Sequence, residues 1–292
     1  MRVQRTSIML CGLVWGCTLI TTRLPAQDAQ EAPAAIADQV HAFTDKEVDQ
    51  YRFFDRSGKE IFTRVPRSLL RWSKATERTA FGDTYLWIEK GCARAVVSIY
   101  AITSPQKMIS AECQSLSDAP FTMRRGDAVV WSPQSEGVDF KPLPVAGVPA
   151  TTPTARGAQM NRIARMFRAE YSPHTSPDEV NPLRLLSRPL YRYQSSDDQV
   201  IDGAVYGFVD ATDPEMLLVI EARQSEGKTA WYYSPARSRH DPIRIYLNNE
   251  IVWDVPRLAP PWEQIRDPSR TYFNLQLEKI VDPEWFHLMT DE

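Results

Sequence analysis

The amino-acid order predicts an α+β protein: two similar modules in tandem, each a helix followed by an antiparallel β-meander forming a curved sheet, with a C-terminal extension behind them. Three observations carry this reading. Apolar residues fall on helical stripes near residues 36–51 and 160–171. Each stripe precedes five or six short aromatic and β-branched runs, separated by polar, Gly or Pro breaks. The two halves also match when one is shifted by 121 residues.

The 292 residues are 43% hydrophobic and 24% charged, with a net charge of −3. Such values suit a chain with a real core and exclude a disordered or collagen-like one. An acidic balance excludes general nucleic-acid binding, which needs a basic face.

Residues 1–26 read as a secretory signal peptide. Arg2 and Arg5 precede an apolar run from Ile8 to Ile20, and Ala26 offers a small residue at the cleavage point. The run is about 13 residues, short of the roughly 20 that span a bilayer. A lipoprotein site at Cys17 is the lesser reading, because bulky Trp15 stands where a small residue is usual. No later segment approaches membrane-spanning length. Cleavage near Ala26 removes three arginines and no acid, taking the charge to −6, and leaves Cys92 and Cys113 alone. In an oxidising compartment these two, on neighbouring strand-like segments, are candidates for a disulfide, with a pair of buried thiols as the alternative.

The first module spans 34–142. Its helix is expected from Pro33 to Phe54, with Thr44 and Glu47 as a capping box after a bend. Strands follow from Leu69 to Trp131. Residues 143–153 are Pro-rich and read as a linker. Thr152 and Pro153 suit the start of a second helix, running to Tyr171. The second module spans 154–257, and residues 258–292 form the extension. At the shift of 121, Leu69, Arg71 and Trp72 fall on Leu190, Arg192 and Tyr193. Gly82 falls on Gly203, Tyr85 on Tyr206, and Val96 and Val97 on Leu217 and Leu218. Met216 to Ile220 is continuously apolar and predicts burial on both faces where the modules pack.

The segments Leu69 to Arg78, Leu86 to Ile102, Cys113 to Ser117, Gly137 to Pro142, Leu183 to Tyr193, Asp202 to Arg223 and Val252 to Leu258 carry a further likeness. In them the chain resembles a family of exported proteins of planctomycete bacteria, over roughly residues 35–258. The resemblance implies export and one shared architecture. It attaches no activity, so no catalytic or binding residue is carried over, and the cysteines stand outside its pattern.

No motif names a reaction. Ala222 to Thr229 fits a relaxed phosphate-loop pattern, but Ala230 to Tyr233 reads as a strand where that chemistry needs a helix, so a hairpin turn is expected. His41, His174, His240 and His287 occur singly, so no metal or cofactor is read from their spacing. Ser238, His240 and Asp241 read as a polar loop bounded by Pro235 and Pro242 rather than a triad. Glu89 and Asp210 read as turn caps. The arginines of the second helix, Arg156 among them, read as its solvated face. The copies differ at Trp231-Tyr232-Tyr233, aligned with Ser110-Ala111-Glu112, and this is the candidate ligand site, with Arg237 and Arg239 beside it. The bland alternative makes Trp231 and Tyr233 core residues. The function expected is that of a non-catalytic binding or structural protein with a small-molecule, glycan or protein partner. The second reading is a hydrolase with acids at the module interface.

Overall fold

A computed structural model describes residues 28–286 apart from 76–78, 105, 196–198, 226, 282 and 285; the expected signal peptide, with Cys17 and Ala26, lies outside the described residues. Among the described residues no helix is long and apolar enough to cross a membrane. Helix α1 (Asp28–Glu47) is followed by β1 (Tyr51–Phe54), β2 (Thr63–Arg64), β3 (Leu70–Lys74), β4 (Thr79–Glu89) and β5 (Cys92–Ser104). Then come β6 (Met108–Ser115), β7 (Thr122–Arg125), β8 (Ala128–Trp131) and β9 (Lys141–Pro142). Helix α2 (Pro153–Ala164) opens the second half, before β10 (Phe167–Tyr171), β11 (Asn181–Leu185), β12 (Tyr191–Tyr193), β13 (Val200–Asp210) and β14 (Asp213–Ser225). Strands β15 (Lys228–Arg237), β16 (Ile243–Leu247) and β17 (Glu250–Val255) lead to α3 (Pro261–Ile265) and β18 (Tyr272–Gln276). The fold is α+β, dominated by antiparallel curved sheets. Ala37–Glu292 is one unit, distinct from the residues before it.

Both helices end before their stripes do: α1 at Glu47 and α2 at Ala164. Tyr51 and Phe53, like Phe167, Ala169 and Tyr171, are buried at alternate positions of a strand. Apolar residues four apart satisfy a period of 2 as well as one of 3.6, so the stripe did not separate the two structures. Thr44 and Glu47 are not a capping box, because α1 runs through them. Thr152 caps α2 as expected, its hydroxyl accepting from the Ala155 amide.

Strand pairing follows a similar order in each half, except that β10 pairs β11 and joins the second half into one sheet, where the first half has two sheets linked by the isolated bridge Phe54–Glu60. In the first, β1 pairs β7, β7 pairs β8, β2 and β3 pair β4, and β4–β5–β6 form a meander. In the second, β10 pairs β16, β16 pairs β17, β11 and β12 pair β13, and β13–β14–β15 form the meander. Register agrees at single residues. The Val65 and Leu69 amides donate to the Leu86 and Thr84 carbonyls, and those of Leu186 and Leu190 to Gly207 and Val205. Trp72 lies opposite Gly82 and Tyr193 opposite Gly203. A Cβ on either glycine would come within 2.5 Å of the facing ring, so each aromatic needs the bare backbone beneath it.

The outer strand of each meander is completed by the other half. Strand β9 closes against β15, and β18 closes against β6. The expected linker is therefore structural: Leu143 donates its amide to the Trp231 carbonyl, and Leu143 and Ala146 sit in the second core. The C-terminal extension is no appendage either. Phe273 is buried and stacks on Trp131, whose indole N–H donates to the Arg270 carbonyl over 2.7 Å. Edge strands with open backbone groups seek partners, and here each half provides one.

A single meander has two faces, and both are used. Met216, Leu218 and Ile220 pack with Met160, Ile163 and Phe167 beneath α2. Their neighbours Leu217 and Val219 turn the other way and pack with Leu86 and Val96 of the first half. The continuous apolar run reflects this double burial.

Each helix is held to its sheet by a buried aspartate and a tyrosine. Asp83 accepts from Thr44 Oγ1 (2.6 Å) and Arg71 Nε (3.0 Å) and faces His41 Nδ1 at 2.7 Å. Burial alone would raise its pKa, but the His41 and Thr44 hydrogen bonds and the Arg71 charge outweigh it and hold the carboxyl below its ordinary range. Asp202 accepts from Arg156 Nε (2.9 Å) and from Arg192 Nη2 (2.8 Å) and Nε (3.1 Å). Arg156 is thus buried rather than solvated. Tyr85 donates to Asp45 of α1, and Tyr206 to Asn161 of α2.

Cys92 and Cys113 are free and buried, and no bridge joins them. Cys113 lies opposite Val97, five residues along β5 from Cys92. That is about 16 Å of strand, and the odd separation points the side chains to opposite faces. A disulfide spans at most about 7 Å between Cα atoms.

Two outcomes follow. Asp202→Ala leaves buried Arg156 without its carboxylate and should cost about 3–5 kcal/mol, whereas Tyr206→Phe should cost about 0.5–1.5 kcal/mol; urea unfolding of both variants measures the difference. Alkylation of the denatured, unreduced chain lacking residues 1–26 should add two labels, read as mass; an unlabelled chain that takes two labels only after reduction would contradict the free thiols.

Candidate functional site

The loops at one end of the second sheet gather charge that the sequence scatters. Asp210 ends β13, Glu215 lies on β14, Arg239 and Asp241 follow β15, and His174 follows β10. From the first half, the end of β3 delivers Lys74. The β13–β14 turn fixes this meeting, because Thr212 Oγ1 bonds both the amide and the carbonyl of Ser73.

Lys74 is fully buried. Its Nζ reaches Glu215 Oε1 at 2.5 Å and Asp210 Oδ2 at 2.9 Å. Burial disfavours its charge, but Glu215 and Asp213 more than offset this and the pKa rises. Arg239 Nη1 donates to the same Glu215 oxygen over 2.9 Å, and its Nε donates to Asp241 Oδ2 over 2.6 Å. The Tyr171 ring lies 4.0 Å from the Arg239 guanidinium, and its hydroxyl donates to Asp210. Asp210 is therefore part of a buried ion network, not a turn cap. Burial works to raise the pKa of both Asp210 and Asp241; Lys74 at the first and Arg239 at the second outweigh it and keep both carboxyls low.

Above the network lies a narrow cleft of about 50 Å³. Tyr100, Met108 and Glu112 wall it from the first half, His174, Glu215, Arg239 and His240 from the second, and Trp262, Arg266 and Asn274 from the extension. At the roughly 10–15 Å³ a buried water needs, it has room for about three to five waters. Other surface depressions are larger but open; one of about 490 Å³ runs along Val48, Arg64 and Trp87, where Arg64 is already paired with Asp49.

At the cleft floor, His174 Nδ1 stands 3.3 Å from Asp241 Oδ1 and His240 Nε2 stands 3.7 Å from it. One ligand-type atom from each residue lies within 4.8 Å of the others. Burial, with the Arg239 charge, lowers the His240 pKa to about 4 against the pull of Asp241, so the ring is neutral near pH 7. Neither His240 Nε2 nor Asp241 Oδ1 makes a hydrogen bond. The polar-loop reading of Ser238, His240 and Asp241 is corrected: Ser238 and Asp241 are buried, and His174 converges on the pair from another loop.

The aromatic ligand site is not borne out. Trp231 is 1% exposed and belongs to the core under α2, and Tyr233 packs there against Phe167. The alignment that singled out Trp231 was one residue out of register. Trp231 lies opposite Ala222, and in the first half Ile109 lies opposite Ala101, so its counterpart is a buried isoleucine. Tyr232 is half-buried beneath Arg223 and beside Pro142. Arg237 is spent on backbone, donating to the carbonyls of Asp241 and Pro256. Arg239 alone of the five lines the cleft. The phosphate-loop match is the β14–β15 hairpin, with Gly227 at φ +75°.

Comparison of the chain with protein-family models, curated proteins and solved structures gave no match.

Trp231→Ala should act on stability alone, lowering it by about 3–5 kcal/mol, as read from thermal or urea unfolding; a wild-type midpoint would place the ring outside the core.

Proposed function

We propose that the chain is an exported binding protein, built by duplication of one helix-plus-sheet module, whose ligand occupies the cleft where the halves meet. One observation carries the reading. The cleft walls come from both halves and from the extension, so the site exists only in the assembled molecule. Ligand sites favour such junctions. Similar pairing order and the agreement of register at a shift of 121 residues support the duplication. Export rests on the pattern of residues 1–26.

Binding is favoured over hydrolysis by the state of the acids. A general acid needs a carboxyl with a raised pKa. Asp210 and Asp241 are held low, and Glu215 accepts from both Lys74 and Arg239. These groups are committed to cations and set a fixed field.

Two measurements test this. Expressed with its own N terminus in a Gram-negative host, the protein should be recovered outside the cytoplasm with a mass beginning near Gln27; a cytoplasmic chain retaining residues 1–26 would sink export. Thermal melting of the mature protein against small anions, sugars and divalent cations should show one class raising the midpoint by several degrees, as ligand at about 100 times Kd adds about 2.7 kcal/mol. Trp262→Ala, at an exposed position on the cleft rim, should reduce that rise. A panel without effect, or a rise that Trp262→Ala leaves intact, would argue against the cleft.

A further inference from the structure

We infer that His174, His240 and Asp241 form a binding site for a divalent transition-metal ion of the zinc type. This deepens the cleft reading by naming the class of ligand, and it rests on that reading only for location.

The donor set is the first argument. Two imidazole nitrogens and one carboxylate oxygen suit borderline metals such as zinc, whereas calcium and magnesium prefer sites made wholly of oxygen. Spacing is the second. Ligand atoms about 2.0–2.1 Å from a tetrahedral metal stand roughly 3.3–3.5 Å from one another. The separations of 3.3 Å and 3.7 Å from Asp241 Oδ1 to the two nitrogens are close to this, and the three atoms stay within 4.8 Å. The Asp241 distances need only a few tenths of an ångström of adjustment, and the two imidazoles, within 4.8 Å of one another, close the set by approaching each other by at most about 1.4 Å.

The third argument is the state of the buried atoms. Asp241 is 0% exposed, yet its Oδ1 lacks a hydrogen bond, and so does His240 Nε2 nearby. Buried polar atoms left without partners cost free energy, and here two of them face one point. A cation at that point satisfies both.

The surroundings hold Asp241 in place for such a role. Its Oδ2 is fixed by Arg239, which is fixed by Glu215, which is fixed by Lys74. Outer partners of this kind orient a metal ligand, and here they turn the free Oδ1 towards the histidines. Lys74 and Arg239 face Asp210, Glu215 and Asp241, so the ion-paired set carries one more carboxylate than cation. Three protein ligands leave a fourth position, and the cleft of about 50 Å³ has room there for water.

The test uses the whole mature chain, stripped with chelator and dialysed. Titration with Co²⁺ should bind one equivalent and develop the visible absorption of a low-coordinate site, and Zn²⁺ should displace it. His174→Ala removes a partly exposed ligand that makes no hydrogen bond to the core. It should weaken Co²⁺ and Zn²⁺ at least about 100-fold, since loss of even an outer partner costs 10–100-fold, while the metal-free melting temperature stays unchanged. His240→Ala should weaken the metals likewise, and Arg239→Lys should do so by a smaller factor. Wild-type protein that binds less than one equivalent of either metal, or a His174→Ala variant that binds as wild type does, would overturn the assignment. If metals fail and another class of the melting panel succeeds, the metal assignment falls and the cleft reading stands.

Discussion

The exchange of outer strands is the constraint on which the rest depends. Among the described residues, strand β6 has no second neighbour in its own half, and β15 has none in its own. Each is completed by a segment that leaves one half and lies down on the other. Backbone pairing of this kind is directional and tolerates no slip, because one residue of register reverses every side chain. Once β9 and β18 are paired, the halves face one another with Leu86 and Val96 against Leu217 and Val219. The turn carrying Thr212 then meets Ser73, while Ser195 meets Lys90 at the corresponding place. The charged network and the cleft follow from these contacts, since Lys74 is delivered by one and Asp210 by its partner.

Much of this architecture was legible in the residues. The order and spacing of the long strands, the match of Gly82 with Gly203, and the double burial of Met216 to Ile220 are local signals, and they survive into the structure. What misled was ambiguity of period and of register. Phe167 and Tyr171, four apart, fit a strand as well as a helix, and a slip between β5 and β6 made Trp231 look unmatched. The reciprocal strands were invisible because β9 is two residues long and β18 lies far from its partner. Nothing in Lys141-Pro142 or in Tyr272 to Gln276 announces which edge it will meet.

The cleft residues were missed for a different reason. His174 and His240 are far apart in sequence, and metal-type spacing is readable only when ligands share a helix or a tight loop. Asp241 beside Pro242 looks like solvated loop. It is nevertheless fully buried, and Arg239 neutralises part of its charge, at the end of the molecule where α3 and β18 wall the cleft. Arg239 was named for its nearness to an aromatic strand; the chemistry lies on its other side, towards Glu215 and Asp241.

The pairing of β18 with β6 has a consequence for how the molecule comes into being. A chain made from its N terminus presents the first half long before the last strand exists. Until then β6 keeps an open edge, Trp131 lacks the Arg270 carbonyl and the Phe273 ring, and the aromatic cluster around Phe53 and Phe121 is open on one side. The second half has no such delay, because β9 precedes it in the chain. The half that is synthesised first is therefore the last to close, and damage at the C terminus is felt at the other end of the sequence.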